Sequence, residues 1–591
     1  MPQYKAPLRD YQFCLHELFD YSAHSQLPGF SEFTEDVVTA VLEQAGKFAE
    51  QVIFPLNSTG DAEGCTLRGG VVTTPTGFRQ AYRALCDGGW TALTCDPADG
   101  GQGMPHVVNF LFEEMMGSAN LSFGLYPGLT RGAYVTIAKH GSEQQRALYA
   151  PRLASGEWSG SMCLTEAHCG TDLGLLRTTA APTANGAYSL AGTKIFISAG
   201  EHDLTSNIIY MVLARLPDAP KGTKGISLFL VPKFIVDGDG NPGDRNAVSC
   251  SSLEHKMGIH GCSTCVMNFD GALGWLVGEP HQGLKAMFSM MNAERIAVGI
   301  QGLAVAEASY QNAVAYARER LQGRAPKGPR EPSKAADPII VHPDIRRMLL
   351  TQKALIEGCR MLALKTATFL DVSERHPSKE SRDHVGALVA LYTPVVKAFL
   401  TDTGSEVANL GMQVLGGHGY IRANGQEQLV RDARITQIYE GTNGVQAMDF
   451  LGRKILSDGG QMLKQCTNQI EAHVLSKKLD PTLAEFMLPL ERSLRHLREA
   501  TEFLQGRAAR NPEEIGTAAV DYLRLFAFTE LGHLWSLAAE AALPKGNEDF
   551  YRAKLATARF FMQRMLPQTA SLQASIMAGA ATVMELDEAS F

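Results

Sequence analysis

The spacing of apolar residues changes twice along the chain and separates helical from strand-rich stretches. From about residue 35 to 156 the spacing is helical, at intervals of three and four residues. It predicts a first helix that ends before Pro55, with one apolar face formed by Val37, Val41, Ala45 and Phe48. Between about 162 and 269 the period changes to two, in short runs rich in β-branched and aromatic residues such as NIIYMVLAR and GISLFLVPK. Many short strands without helices between them predict an antiparallel β-sandwich or barrel.

Helical spacing returns after Glu279 and continues to the last residue. One long helix is predicted from GLKAMF to ARER, followed by a segment with five prolines that we interpret as a solvated loop. Two further helices are predicted over 346–370 and 384–415, with a kink or break at Pro394. The stretch 461–591 has 14 basic and 16 acidic residues and no internal repeat, which predicts a small appended helical bundle.

These patterns predict an α+β protein in four parts. We expect an N-terminal helical domain with an extension (1–158), a middle β-sandwich or barrel domain (159–278), a helical domain resembling a four-helix bundle (279–460) and an additional helical module (461–591).

Composition narrows the functional classes. Of the 591 residues, 45% are hydrophobic and 20% charged, which is typical of a globular chain. The net charge of −8 disfavours nucleic-acid binding, which requires a basic face. Eleven cysteines are ordinary usage for this length, and we find neither a signal-peptide pattern nor an apolar run long enough to span a bilayer. We therefore expect a cytoplasmic protein without a membrane span.

The segment RDARITQIYEGTNGVQAMDFLGRKI carries the first candidate chemistry. Asn443 is predicted to cap a helix, which places Glu440 on the loop just before it. A carboxyl group among Tyr439, Gly441 and apolar neighbours is expected to have a raised pKa through desolvation, as a general base requires. The alternative is a helix-start carboxylate that the helix dipole stabilises.

A second segment, MCLTEAHCGTDLGLLRTTA, is followed about 30 residues later by KIFISAGEHDL. Thr165, Thr171 and Ser198 place hydroxyl groups near strand ends, and Gly170 allows a ligand to approach the backbone closely. A flat isoalloxazine ring needs apolar faces and polar groups at its edge, which this combination offers. Hydroxyl groups at strand ends also commonly cap turns, so the segment alone leaves both interpretations open.

Taken together and in this order, the segments resemble the acyl-CoA dehydrogenase family of flavoproteins. MCLTEAHCGTD is similar to the family's first signature and QIYEGTNGVQ to its second, while GMQVLGGHGY and RDARI match the pattern between them. The resemblance covers about 51–456. The N-terminal APLRDYQFCLHELFD and the C-terminal module are similar to a long subgroup that includes 3-methylmercaptopropionyl-CoA dehydrogenases and several bacterial fatty acyl-CoA dehydrogenases.

The resemblance implies the reaction and its residues. Glu440 matches the catalytic base that removes the α proton of an acyl-CoA thioester, after which the Cβ hydride passes to FAD and leaves a trans-2-enoyl-CoA. Two donors, the Glu440 N–H and a ribityl hydroxyl, would stabilise the enolate-like charge on the thioester carbonyl. The positions that match cofactor contacts are Leu164, Thr165, Gly170, Thr171, Phe196, Ile197, Ser198, Arg320, Gln413, Gly416, Gly417 and Thr442. Thr171, Arg295 and Gly441 match substrate contacts, although Arg295 also suits a helix-face arginine paired to a carboxylate.

The resemblance further implies an electron-transfer flavoprotein as acceptor and a homodimer or dimer of dimers, because Arg320, Gln413, Gly416 and Gly417 match contacts to the FAD of a neighbouring subunit. The sequence departs from the family's Arg-Lys-Thr-Phe-Gly run at Arg320–Arg324, so the basic residues that follow are interpreted as solvated rather than phosphate-binding.

Several alternatives remain at this stage. Small residues at Gly124 and Gly128 favour a medium or long acyl chain in fatty-acid β-oxidation, while the subgroup also includes dehydrogenases of short thioether acyl-CoAs. An acyl-CoA oxidase and a non-catalytic DNA-binding flavoprotein of the same fold are the other hypotheses. His255, His260, Cys262 and Cys265 have metal-ligand residue types but lack a second paired set, so no metal site is expected.

Overall fold

The computed structural model describes residues 3–591, and these residues form helices on both sides of a strand-rich middle. The α-helices are α1 (Leu8–Gln12), α2 (Tyr21–His24), α3 (Glu35–Phe48), α4 (Asn57–Glu63), α5 (Phe78–Asp87), α6 (His106–His140), α7 (Glu143–Ala154), α8 (Gly283–Glu319), α9 (Pro343–Arg375), α10 (Lys379–Leu415), α11 (Gln426–Thr436), α12 (Asn443–Met448), α13 (Gln461–Lys477), α14 (Ala484–Ala508), α15 (Glu513–Ala542), α16 (Asp549–Phe560), α17 (Gln568–Met577) and α18 (Ala581–Met584). The strands are β1 (Thr66–Arg68), β2 (Val71–Thr73), β3 (Trp158–Cys163), β4 (Thr179–Pro182), β5 (Tyr188–Ser198), β6 (Asn207–Arg215), β7 (Ile226–Pro232), β8 (Phe234–Val236), β9 (Pro242–Arg245), β10 (Val248–Leu253) and β11 (Thr264–Val277). The predicted α+β class is confirmed.

The chain divides into two compact units. The β unit is Gln44–Ala297; the helical unit is Val298–Phe591 together with the chain before Gln44. The divisions fall within the sequence ranges of α3 and α8.

The sheet of the β unit closes on itself. Strand β11 pairs with β5 and β7, and the ring is completed through β4 and β6. The predicted barrel is therefore present, but the sheet is mixed rather than antiparallel throughout, because β6 runs parallel to β3 and to β4. Strand β6 is buried along nearly its whole length, which explains the continuous apolar run NIIYMVLAR.

The apolar face of α3 differs from the predicted one. The buried positions are Val38, Leu42 and Ala45, followed by Ala49 just beyond the helix, whereas Val37 is 39% exposed. Two apolar stripes offset by about one residue both satisfy the helical period along this segment. The packing neighbours, which the local sequence does not specify, decide which stripe is buried.

Helix α6 is kinked at Asn120, whose backbone is extended (φ −164°, ψ 97°). The Asn120 side chain compensates by accepting a hydrogen bond from the Phe123 N–H at 3.1 Å, so it caps the second half of the helix. That second half carries FGLYPGLTRGA, which stays helical through Pro127.

Helix α8 is the single long helix that the sequence predicts. In the helical unit, α9 and α10 pack against each other. Of the kink or break expected at Pro394, the break is wrong, because α10 continues from Lys379 to Leu415 with Pro394 inside it. Proline can stay in a helix when tertiary packing offsets the lost backbone hydrogen bond, and Pro394 is buried. Among residues 3–591, Lys379–Tyr420 is the one helix long and apolar enough to cross a bilayer, and 67% of its apolar window is buried, as in the core helix of a globular domain.

The proline-rich segment after α8 has no helix or strand among the described residues up to Pro338 and is largely exposed, as predicted. It folds around the buried carboxylate of Asp337, which accepts hydrogen bonds from the N–H groups of Ala325, Arg330 and Glu331. The Arg324 guanidinium also binds the Asp337 carboxylate, at 3.3 Å, and so stabilises the loop.

The C-terminal helices pack on α9, α10 and α12. The Trp535 indole N–H donates to the Ala354 carbonyl at 3.2 Å, and buried Glu530 binds Lys365 at 2.9 Å. Residues of the N-terminal segment join the same core, since Asp10 forms buried ion pairs with Arg360 and Lys554.

Candidate active site

Glu440 lies on the six-residue loop, residues 437–442, that separates α11 from α12. Its backbone has φ +57°, and Gly441 follows with φ +85°. A glutamate in the left-handed region is strained by roughly 1–3 kcal/mol, and such strain persists only where surrounding contacts hold it. The Gly441 position favours glycine because L side chains rarely adopt its φ, and a Cβ there would also lie 2.6 Å from Gln446 Nε2.

Contacts on both sides hold this loop. The Tyr439 hydroxyl donates to Gln301 Oε1 on α8, and Gln446 Nε2 donates to the Glu440 carbonyl at 3.1 Å. The Asn443 N–H donates to the Gln437 carbonyl at 3.1 Å and closes the loop at its base. Glu440 itself is half-buried.

The predicted capping role of Asn443 is wrong. Thr442 occupies the N-cap position of α12, and its hydroxyl accepts from the Val445 N–H at 3.4 Å. Asn443 is the first helical residue, and its side chain points instead to α10. There Lys397 Nζ donates to Asn443 Oδ1 at 2.7 Å, and Asn443 Nδ2 donates to Asp402 Oδ1 at 2.7 Å.

In the β unit, the loop after β3 is fastened to β5. The Ile195 N–H donates to the Thr165 carbonyl at 2.9 Å, and Lys194 Nζ donates to the Leu164 carbonyl at 3.0 Å. Gly170 is exposed, and a Cβ there would have only Thr165 within 4 Å. The structure thus brings the predicted cofactor residues Leu164, Thr165 and Gly170 together on one loop beside β5.

A buried ion pair organises this loop. Lys194 is fully buried and its Nζ lies 2.9 Å from Glu166 Oε1. Burial raises the pKa of Glu166, but the Lys194 cation and hydrogen bonds from Lys194, Thr178 and the Arg177 N–H outweigh it and hold the pKa at about 2. Burial lowers the pKa of Lys194, and the Glu166 carboxylate partly opposes that shift.

The strand end next to the loop has an irregular backbone and open side chains. Phe196 has φ +60° and is 59% exposed, at a point where the pairing of β5 with β11 shifts register. Thr264 pairs with Ser198 across the two strands, and its buried hydroxyl has no hydrogen-bond partner. An exposed aromatic ring and an unpaired hydroxyl at the same end of the β5–β11 pair suit a flat ligand with polar edges, such as a flavin.

The remaining predicted positions of the β unit vary in exposure. Thr171 is exposed on the loop, whereas the Ile197 side chain is buried and leaves only its backbone for a ligand. Arg295 donates to Asn292 Oδ1 at 3.2 Å and its guanidinium lies 5.9 Å from the Phe288 ring centroid.

Four predicted cofactor positions are exposed on the helical unit: Arg320, Gln413, Gly416 and Gly417. The Tyr316 hydroxyl binds His418 Nδ1 at 2.9 Å and links the end of α8 to the turn that contains Gly416 and Gly417. A Cβ at either glycine would have nothing within 4 Å, so the space around the turn is open.

Of the four candidate ligands His255, His260, Cys262 and Cys265, His260 makes structural contacts through its ring. Both ring nitrogens of His260 are engaged, Nδ1 with Asp61 at 2.8 Å and Nε2 with the Lys256 carbonyl at 2.8 Å. Within residues 3–591, the one group with ligand atoms close enough for a metal ion is Glu166, His168 and Cys169. Glu166 already binds the Lys194 cation there, which opposes a second cation.

Sequence reasoning missed the residues that support the two loops. Glu166 and Lys194 lie inside MCLTEAHCG and GTKIFIS, and a charged residue within an apolar strand was the available signal for Lys194. Lys397 offered the same signal in the apolar run of α10. Their partners are distant in sequence, so the pairings themselves had no local signal.

Comparison with protein families covers nearly the whole chain. Residues 36–157, 161–272 and 281–456 match the N-terminal, middle and C-terminal domains of acyl-CoA dehydrogenase, and 462–587 match the "Acetyl-CoA dehydrogenase C-terminal like" model.

The chain also matches individual relatives along nearly their full length. The chain is 43% identical to a 3-methylmercaptopropionyl-CoA dehydrogenase of Ruegeria pomeroyi, over 95% of this chain and 96% of the relative. It is 34% identical to a broad-specificity linear acyl-CoA dehydrogenase of Mycobacterium tuberculosis, over 100% of both. The structure of a Bacillus anthracis acyl-CoA dehydrogenase complexed with FAD shares the fold with a TM-score of 0.76 at 20% identity, covering 96% of this chain and 91% of that one. This chain therefore belongs to the acyl-CoA dehydrogenase family of oxidoreductases.

Proposed function

We propose that the protein catalyses the FAD-dependent α,β-dehydrogenation of an acyl-CoA thioester to the trans-2-enoyl-CoA, with Glu440 as the catalytic base. The observation that carries the proposal is the Glu440 loop, a carboxylate held at positive φ by contacts from α8, α10 and α12. A general base must be fixed within hydrogen-bond reach of the proton that it removes. A strained, well-supported loop supplies such fixation.

The reaction needs a carbonyl that is polarised while the α proton leaves. In this proposal the Glu440 carboxylate takes that proton, and the Glu440 N–H donates to the thioester carbonyl, where negative charge develops. Gly441 allows the substrate to approach the backbone, since it carries no side chain. FAD, when bound, supplies the acceptor for the hydride from Cβ.

The flavin-ring contacts are assigned to Leu164, Thr165, Gly170, Thr171, Phe196, Ile197 and Ser198. The open Phe196 face and the unpaired Thr264 hydroxyl support this assignment. Thr442 is assigned to the cofactor and Arg295 to the substrate. The exposed Arg320, Gln413, Gly416 and Gly417 are assigned to the FAD of a second copy of this chain, which makes the protein a homodimer or a dimer of dimers.

For the acyl group we propose a linear chain of medium to long length, as in fatty-acid β-oxidation. The open space around Gly124 and Gly128 supports this choice, because a Cβ at either position would meet nothing within 4 Å. A short thioether acyl-CoA is the second candidate, favoured by the 43% identity to the 3-methylmercaptopropionyl-CoA dehydrogenase.

We further propose an electron-transfer flavoprotein as the electron acceptor and a cytoplasmic location. Eleven free thiols, nine of them buried, suit a reducing compartment. The four-part division at 158, 278 and 460 is proposed as the domain organisation.

Anaerobic titration with acyl-CoAs of graded length, including 3-methylmercaptopropionyl-CoA, tests the reaction and the substrate together through loss of the flavin absorbance band. Glu440→Gln should bind FAD as the wild type does but lose bleaching. Glu427→Gln, the same change on α11 where Glu427 pairs with Arg431, is the control and should bleach normally. Full bleaching by Glu440→Gln would refute the base assignment, and rapid peroxide formation with oxygen alone would favour an oxidase.

A further inference from the structure

Lys397 is a fully buried lysine that the reaction as described does not use. It lies in the middle of α10 among apolar residues, and its Nζ donates to Asn443 Oδ1 at 2.7 Å. Burying a cation costs several kcal/mol unless hydrogen bonds and nearby charge offset the cost. A lysine at this position therefore needs a reason beyond packing.

The opposite end of the same carboxamide meets an anion. Asn443 Nδ2 donates to Asp402 Oδ1 at 2.7 Å, and Gln437 Nε2 donates to the same oxygen at 2.6 Å. The cation of Lys397 faces the amide oxygen and the anion of Asp402 faces the amide nitrogen. The two charges, together with the Ala398 carbonyl that accepts from Asn443 Nδ2 at 3.1 Å, fix the orientation of the Asn443 side chain, since a flipped amide would place like partners together.

Gln437 and Asn443 lie at the two ends of the loop that carries Glu440. Both are tied to Asp402, and a backbone hydrogen bond joins Asn443 N–H to the Gln437 carbonyl. Between these fixed points the backbone turns through the positive φ values of Glu440 and Gly441. A side-chain network that holds both ends of a strained loop determines where the carboxylate between them lies.

We propose that Lys397 and Asp402 are positioning residues for Glu440 and act through the carboxamide of Asn443. This inference rests on the proposed role of Glu440 as the base. Neither α10 residue is required to touch substrate or flavin. Their effect is to hold the loop, so their loss should displace the carboxylate without removing it.

The variants Lys397→Met and Asn443→Ala test this arrangement. A displacement of about 1 Å at a reacting group lowers the rate roughly 10²-fold. We therefore expect the single-turnover rate of flavin reduction to fall about 10²-fold in each variant, with a larger isotope effect from α-deuterated acyl-CoA and with flavin content unchanged. Lys379→Met is the matched control, since Lys379 is an exposed lysine on the same helix whose side chain is 78% exposed.

The double variant and an acidic replacement separate positioning from general destabilisation. If Lys397 acts through Asn443, the double variant should lose no more rate than either single variant. Asn443→Asp places a second carboxyl group between the Lys397 cation and the Asp402 carboxylate. Lys397 favours the ionised form of the new group, while repulsion between the two carboxylates favours protonation of one of them as the pH falls. Once protonated, that group again donates a hydrogen bond, so the rate of Asn443→Asp relative to wild type should rise as the pH falls.

The outcomes are distinct from those that test the reaction. If no acyl-CoA bleaches the wild-type flavin, the proposed function fails. If the wild type bleaches and Lys397→Met and Asn443→Ala reduce the flavin at the control rate, the positioning role is refuted. The positioning role would also be refuted if the rate falls only in proportion to a loss of bound flavin or to a lower melting temperature. In that case the effects in the double variant would be additive, and the rate of Asn443→Asp would not recover as the pH falls.

Discussion

Replacing Lys194 with methionine is the sharpest test of how the loop after β3, which carries the proposed cofactor contacts, is held. The substitution keeps the length of the side chain and its packing but removes the cation that lies 2.9 Å from Glu166 and donates to the Leu164 carbonyl. The Glu166 carboxylate would stay buried against Thr178 and the Arg177 N–H without a counter-charge. Leaving one partner of a buried ion pair uncompensated costs about 3–5 kcal/mol.

The lowered pKa of Glu166 gives a second value for the free energy by which the ion pair stabilises the fold. A fall from 4.5 to about 2 on folding corresponds to roughly 3 kcal/mol of stabilisation at neutral pH. Because the folded pKa is the lower one, this stabilisation is complete above about 4.5 and is lost as the pH falls toward 2. In Lys194→Met the pKa of Glu166 should rise, so the deficit against wild type should shrink in acid.

The assay is FAD affinity, because the loop carries Leu164, Thr165 and Gly170. If the lost stabilisation of the loop, about 3 kcal/mol, is transmitted in full to FAD binding, the dissociation constant for FAD should rise roughly 10²-fold. Lys224→Met, the same change at an exposed lysine of the β unit, is the control. The double variant Glu166→Gln, Lys194→Met should recover part of the affinity, since its buried group is neutral.

One result would refute this reasoning. If Lys194→Met binds FAD with the affinity of Lys224→Met and melts at the same temperature at pH 7, the ion pair does not hold the loop.

Two further predictions follow from other parts of the structure. Burial lowers the pKa of His533 to about 4; Glu530 opposes this shift, and Lys365 and His473 add to it slightly. The folded protein therefore loses stability as the pH falls from 6.5 toward 4, by about 2 kcal/mol between pH 7 and 5. His533→Gln should make the melting temperature less dependent on pH over that range, and an unchanged slope would contradict the assignment. Gly128→Leu should lower kcat/KM for long acyl-CoAs about 10-fold relative to butyryl-CoA by filling the open space at Gly128, and an equal effect on both lengths would place the acyl chain elsewhere.

The sequence predicted the architecture well where a periodic pattern extends over many residues. Helix α8 and the strand-rich middle follow directly from apolar spacing, because burial of one face imposes a period of 3.6 or 2. Where two solutions satisfied the same period, the prediction failed. The α3 stripe was placed one residue off, because Val37 and Val38 are equally apolar and only the packing partners distinguish them.

Local rules also failed where tertiary contacts outweighed them. Asn443 is a good capping residue, yet Thr442 takes the cap because Lys397 and Asp402 bind the Asn443 amide from α10. Pro394 should interrupt a helix, but α10 continues through it, and Pro394 is buried among packing neighbours. The mixed sheet is a further case, since strand direction depends on the connections between strands rather than on the residues within them.

The sequence by itself determined the family, the order of helical and strand-rich stretches, and Glu440 as the candidate base, because these depend on motifs and periods that are local in the chain. The tertiary structure decided how that base is held. Lys397 is 43 positions from Glu440 and Lys194 is 28 from Glu166, and a buried charge acquires its meaning only from the group that folding places beside it. Charge pairing in a buried site acts through space over a few ångströms, so separation along the chain carries no information about it.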